Sequence, residues 1–167
     1  MSDALDDAQA NRVTDSAGER LVMWDFEHSI EAAVSRERVW ALWTDVPGWP
    51  RWNPGVARAE LDGPVAEGVT GTVRGTGGPA SALRVVALEP ERRFVTEASE
   101  RFMRLRFEYE LGDARDGPLR ITHRVLMSGL ATPLMRRTVG SRLERSIPQA
   151  LANLVELART EPPPESG

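Results

Sequence analysis

The chain has 167 residues with no cysteine and no lysine, so its 21 Lys+Arg residues are all arginine, set against 25 acidic residues for a net charge of −4. Disulfides, thiolate nucleophiles, cysteine-ligated metal, Schiff-base chemistry and a P-loop lysine are thereby excluded, and the acidic balance is the wrong sign for a protein whose main partner is nucleic acid. At roughly 150 residues per domain the length fits one domain, and 41 % hydrophobic residues can build a core without metal or disulfide staples.

Residues 1–20 are polar, without the basic and apolar regions of a secretory signal, and read as a disordered arm. The end of the chain, 160–167, carries three consecutive prolines, Pro162 to Pro164, and reads as a disordered tail. A single domain is expected over 21–159. No run of 18 apolar residues occurs, so no membrane span is expected, and the reading is of a soluble, cytoplasmic protein.

From Leu21 to Glu31 the sequence alternates, with Val22, Trp24, Phe26, His28 and Ile30 on one face, which predicts a half-buried strand. Ser35 is a good N-cap for a short helix carrying Val39, Trp40, Leu42 and Trp43, stopped by Pro47 and Gly48. A second short helical turn reaches Trp52 and ends before Pro54. Extended segments follow at 57–61, 69–75, 81–88, 92–99, 102–111 and 119–127, separated by turn signals such as Gly77-Gly78-Pro79 and Asp116-Gly117-Pro118. This spacing predicts an antiparallel meander. In its most regular part Met103, Leu105, Phe107, Tyr109 and Leu111 share one face, and Leu119, Ile121, His123, Val125 and Met127 share the corresponding face of the next strand. A long amphipathic helix begins near Thr132 and carries Leu134, Val139, Leu143, Ile147, Leu151, Leu154 and Ala158, with a kink expected at Pro148. A sheet and a helix that each have one apolar face bury them against each other, an α+β two-layer arrangement.

The segment VWALWTDVPGWPRWNPGV, Val39 to Val56, resembles the START-like, birch-pollen-allergen-like superfamily called SRPBCC in bacteria. Val39, Trp40, Asp45, Trp49, Pro50, Trp52, Asn53 and Pro54 carry the likeness, joined by VVALEPERRF in the middle hairpin and by THRVLMSGL and IPQALANL around the last helix. It covers about 21–159 and is nearest to the polyketide cyclase/dehydrase-like branch. The resemblance implies a helix-grip fold: a curved seven-stranded antiparallel sheet around a long C-terminal helix, with two short helices between strands 1 and 2. It also implies an apolar cavity between sheet and helix, and a first strand lying beside the last.

With cysteine and lysine absent, proton transfer near neutral pH falls to His28 and His123, with Tyr109 as an orienter of a ligand carbonyl or enol. Strand parity puts both histidines on apolar faces, and the implied topology brings them close. An unsatisfied buried polar group costs about 1–3 kcal/mol, so inward histidines call for partners, water or ligand; the competing reading makes each a satisfied core residue. Trp24, Phe26, Met103, Leu105, Phe107, Ile121, Val125, Val139, Leu143 and Ile147 are the expected ligand-binding wall. Two histidines without a clear third ligand argue against a catalytic metal, Gly75, Gly77 and Gly78 read as a hairpin turn because no helix follows them, and no cofactor is expected. The expected function is binding of a hydrophobic or aromatic small molecule, with polyketide cyclase/dehydrase activity as its enzymatic form. The alternatives are a non-catalytic lipid or hydrophobe carrier, and a partner-binding or stress-response module whose cavity is filled by its own side chains.

Overall fold

The computed structural model describes residues 23–113 and 117–160. The expected arm 1–20, Leu21 and Val22 of the first strand, Asp116 of the last turn and the tail beyond Thr160 lie outside the described residues. The elements run β1 (Trp24–Ala32), α1 (Arg36–Thr44), a 3-10 turn (Val46–Arg51), β2 (Val56–Leu61), β3 (Thr70–Gly75), β4 (Ala80–Glu89), β5 (Arg93–Glu100), β6 (Met103–Leu111), β7 (Leu119–Ser128), α2 (Thr132–Met135), a π turn (Arg136–Gly140) and α3 (Ser141–Thr160).

The seven strands form one curved antiparallel sheet in the order β1-β7-β6-β5-β4-β3-β2. Alternation along each strand gives the sheet one dry and one wet face, and register shifts at Val56/Arg58 and at Val85/Ala87 are the local irregularities that bend strands. Salt bridges such as Arg104 to Glu97 and Arg124 to Asp25 lie across the outer face. The inner face holds Leu83, Val85, Phe94, Tyr109, Ile121 and Val125, all buried.

Ser35 caps α1 as expected, its Oγ accepting from the Arg38 amide at 3.2 Å. Arg38, itself buried, donates from Nε to the Ala158 carbonyl at 3.0 Å, satisfying one of the carbonyls a helix leaves unpaired at its end. That contact ties α1 to the far end of α3. The buried stripe of α3 is Ile147, Ala150, Leu151, Leu154, Val155 and Ala158, spaced for one face of a helix.

Two features of the expected last helix differ. The expected single helix is divided into α2, the π turn and α3, with Pro148 inside α3. A π turn accommodates an extra residue, which at 3.6 residues per turn rotates the preceding segment by about 100°. Leu134 is off the buried stripe and 71 % exposed; at 100° per residue it lies about 140° round from Ile147, so an unbroken α-helix would leave it outside the core as well.

Candidate functional site: an apolar cavity over the middle of the sheet

The corner between α1 and β2 is built by the Trp- and Pro-rich segment. The Trp49 indole donates to the Trp43 carbonyl at 2.8 Å, the Asn53 side chain accepts from the Gly55 amide at 3.0 Å, and Asn153 of α3 donates to the Trp52 carbonyl at 3.1 Å. Asp45 folds over Gly48, where a Cβ would lie 2.1 Å from its Oδ2, so a larger residue there would have to displace the carboxylate. The tryptophans therefore act first as structure: Trp43, Trp49 and Trp52 are buried and fix the corner against the sheet.

A cavity of about 420 Å³ opens between this corner, strands β3 to β6, and the helical segment 135–146. Its inner wall is Trp49, Leu83, Ala98, Leu105, Phe107 and Tyr109, and its rim is the β3–β4 hairpin from Gly75 to Pro79 together with Glu100, Met103, Met135, Val139 and Arg142. Arg142 Nη1 donates to the Thr76 carbonyl at 3.3 Å, joining α3 to the hairpin across the opening. Below lies a chamber of about 60 Å³ bordered by His123 and Ile147. Tyr109, Phe107, Leu143, Asn53 and Ser146 border both spaces.

Of the residues expected at the site, Met103, Leu105, Phe107, Tyr109, Val139 and Leu143 line the large cavity, and His123 and Ile147 line the small chamber. Trp24, Phe26, His28, Ile121 and Val125 border neither. Parity assigns them to the right face, but β1 and β7 are the strands packed most closely against α3, so the helix covers that part of the sheet. Trp24 packs on the π turn instead, its ring 3.2 Å from where a Gly140 Cβ would be. Sequence reasoning missed Leu83, Ala98, Trp49, the hairpin, Met135 and Arg142; Leu83 and Ala98 face each other across β4 and β5, and inward parity is the one signal that could have found them.

His28 and His123 are direct cross-strand partners, as the implied topology requires, yet their surroundings diverge. His28 is half-buried. His123 is 4 % exposed, with the Tyr109 ring at 4.6 Å edge-on, Trp43 at 5.7 Å and Trp52 at 5.8 Å. Its Nε2 has no hydrogen-bond partner among the described residues. Burial, and secondarily the charge of His28, push the His123 imidazole down to about 3, and burial lifts the Tyr109 phenol well above its ordinary range. The site thus presents a neutral imidazole and an un-ionised phenol under an apolar vault. Among the described residues no group of three or more His, Cys, Asp or Glu side chains is arranged to hold a metal ion.

Residues 23–159 match the family model described as "Polyketide cyclase / dehydrase and lipid transport". The chain belongs to that family. Solved structures that resemble this polyketide cyclase / dehydrase and lipid transport member include a hypothetical protein from Helicobacter pylori, with 12 % identity over 83 % of this chain and 88 % of that one at a TM-score of 0.69. The Zhui aromatase/cyclase from Streptomyces sp. R1128 shows 15 % identity over 83 % and 94 % of the two chains, at 0.68. Norcoclaurine synthase from Thalictrum flavum shows 13 % over 84 % and 89 %, at 0.64. At these identities the likeness is one of fold, and it is the helix-grip fold that the sequence implied. A search of the curated proteins finds no match. No helix among the described residues is long and apolar enough to cross a membrane.

Proposed function

We propose that the protein binds one hydrophobic or aromatic small molecule in the cavity over β3 to β6, with a polar end of the ligand toward Tyr109 and His123. The observation that carries this reading is the cavity itself: about 420 Å³, within the usual range for small-molecule sites, apolar along its walls, with its few polar groups gathered at its two ends. A neutral His123 whose Nε2 lacks a partner offers a hydrogen bond to a ligand hydroxyl or carbonyl, and forming it relieves a buried unsatisfied group.

Between carrier and catalyst, the electrostatics favour the carrier. Efficient general acid or base catalysis wants a pKa near the working pH; an imidazole held near 3 is a weak base at neutrality, and a phenol raised further by burial is a weak acid. These groups orient better than they exchange protons. The cyclase reading rests on the family and on Tyr109, which borders the cavity, packing against His123 of the adjoining small chamber; in that form catalysis comes chiefly from holding the substrate in a reactive fold.

Mass spectrometry of hydrophobes that co-purify with the protein, together with titration by the dye 1-anilinonaphthalene-8-sulfonate, tests the binding reading. Wild type binds, and Leu105→Trp, which fills the cavity, does not. A wild type that takes up neither hydrophobe nor dye, or a filled variant that binds equally, overturns it. Once a ligand is known, the His28→Gln/His123→Gln variant separates the forms: a carrier keeps its ligand and its function, and a catalyst keeps the ligand and loses turnover.

A further inference from the structure

We infer that the outer rim of the cavity, at Phe102, Leu130 and Leu134, is a docking surface for an anionic membrane. These three are the large apolar side chains that stand exposed among the described residues, at 55 %, 88 % and 71 %. They come from two separate turns that the fold fastens together. The Ala131 amide donates to the Phe102 carbonyl at 3.1 Å, and the Leu134 amide to the Ala131 carbonyl at 3.1 Å. Gly129 makes the approach possible: its φ is +111° and a Cβ there would sit 2.5 Å from the Phe102 oxygen. The exposed apolar tips are thus held side by side by backbone bonds.

The charge around them runs against that of the chain. Arg101 places its guanidinium 5.1 Å from the Phe102 ring centre. Arg136 and Arg137 are exposed and adjoin Leu134, and neither is in an ion pair among the described residues. The neighbouring carboxylate, Glu100, is held by the Ser81 hydroxyl at 2.6 Å. A net charge of −4 therefore coexists with three exposed arginines, Arg101, Arg136 and Arg137, within three residues in sequence of the exposed apolar side chains. Apolar tips that enter the acyl boundary while arginines meet lipid phosphates form the usual pattern of an interfacial contact. A two-fold dimer through the same surface would set arginine against arginine, which disfavours a second copy. The patch flanks the cavity: Met103 and Met135, next in sequence to Phe102 and Leu134, line it. A hydrophobe can then pass between bilayer and cavity without crossing water.

Co-sedimentation of the full chain with phosphatidylcholine vesicles, with and without phosphatidylglycerol, tests the inference independently of whether the cavity holds a ligand. Binding is expected to the phosphatidylglycerol vesicles, to weaken about fivefold for each of Arg101→Gln, Arg136→Gln and Arg137→Gln, and to fall with salt. The variant Phe102→Ser/Leu130→Ser/Leu134→Ser is expected to lose binding with an unchanged thermal midpoint. Failure of the wild type to bind these vesicles overturns the inference, as does equal binding by the triple-serine variant. A wild-type dimer that the triple-serine variant disperses names a second copy as the occupant and overturns it too. So does binding that appears only once residues 1–22 are removed, which makes that segment the occupant.

Discussion

The two ends of the cavity are built on opposite principles. At and behind the inner end Trp43, Trp49, Trp52, Phe94, Tyr109 and His123 pack ring against ring, all within 4 % exposure, and the polar atoms among them are desolvated. At the rim a glycine-rich hairpin, two methionines, Arg142 and the exposed Phe102, Leu130 and Leu134 meet solvent, held by backbone hydrogen bonds rather than by burial. Close packing makes the inner end stiff and chemically quiet; the rim owes little of its structure to its side chains and is free to serve recognition.

The largest contrast should appear in stability. Trp43→Ala at the inner end is predicted to cost about 3–5 kcal/mol, whereas Leu134→Ser at the rim should stay within about 0.5 kcal/mol. Urea unfolding of the two variants checks this, and comparable losses would erase the distinction. A second effect is in pH. His123 titrates at about 3 in the folded chain against about 6.5 when unfolded, so between those values the unfolded chain binds more protons than the native one. Its contribution is full above pH 6.5 and is lost as pH falls toward 3, by an amount on the order of a few kcal/mol. His123→Phe should flatten the stability profile in that window, and a profile identical to wild type would show that the imidazole is not held neutral by burial.

Gly129→Ala probes a rim position where the backbone, not a side chain, sets the structure. Its positive φ and the 2.5 Å approach to Phe102 predict a loss of about 1–3 kcal/mol, measured by thermal unfolding and larger than for any exposed side chain of the rim. The smallest effect is expected at Arg142→Ala. Stability should change by no more than about 0.5 kcal/mol, while release of bound dye in stopped-flow should quicken, because the bond to Thr76 across the opening is gone. An unchanged release rate would remove Arg142 from any part in closing the rim.

How much of this was legible beforehand differs by element. Strand alternation placed His28, Tyr109 and His123 on one face because side chains in a strand alternate with a fixed period of two, and no tertiary contact alters that parity. The Ser35 cap and the Pro47-Gly48 stop were equally local. By contrast, Leu134 joined the expected apolar stripe only through a five-residue step to Val139, which is not the three-or-four-residue spacing of one helix face, and the structure leaves it exposed. The β3–β4 hairpin carried turn chemistry and nothing that marks a cavity rim.

The sequence by itself determined the α+β architecture, the dry face of the sheet and the exclusion of sulfur and lysine chemistry, since these follow from residue type and near-neighbour spacing. Only the tertiary structure decided where along that dry face the helix rests. It lies over β1 and β7, which keeps Trp24, Phe26 and His28 away from the hollow, and leaves that hollow over β3 to β6. The position of a hollow depends on how two surfaces far apart in sequence fail to fill the space between them, and no local pattern encodes that distance.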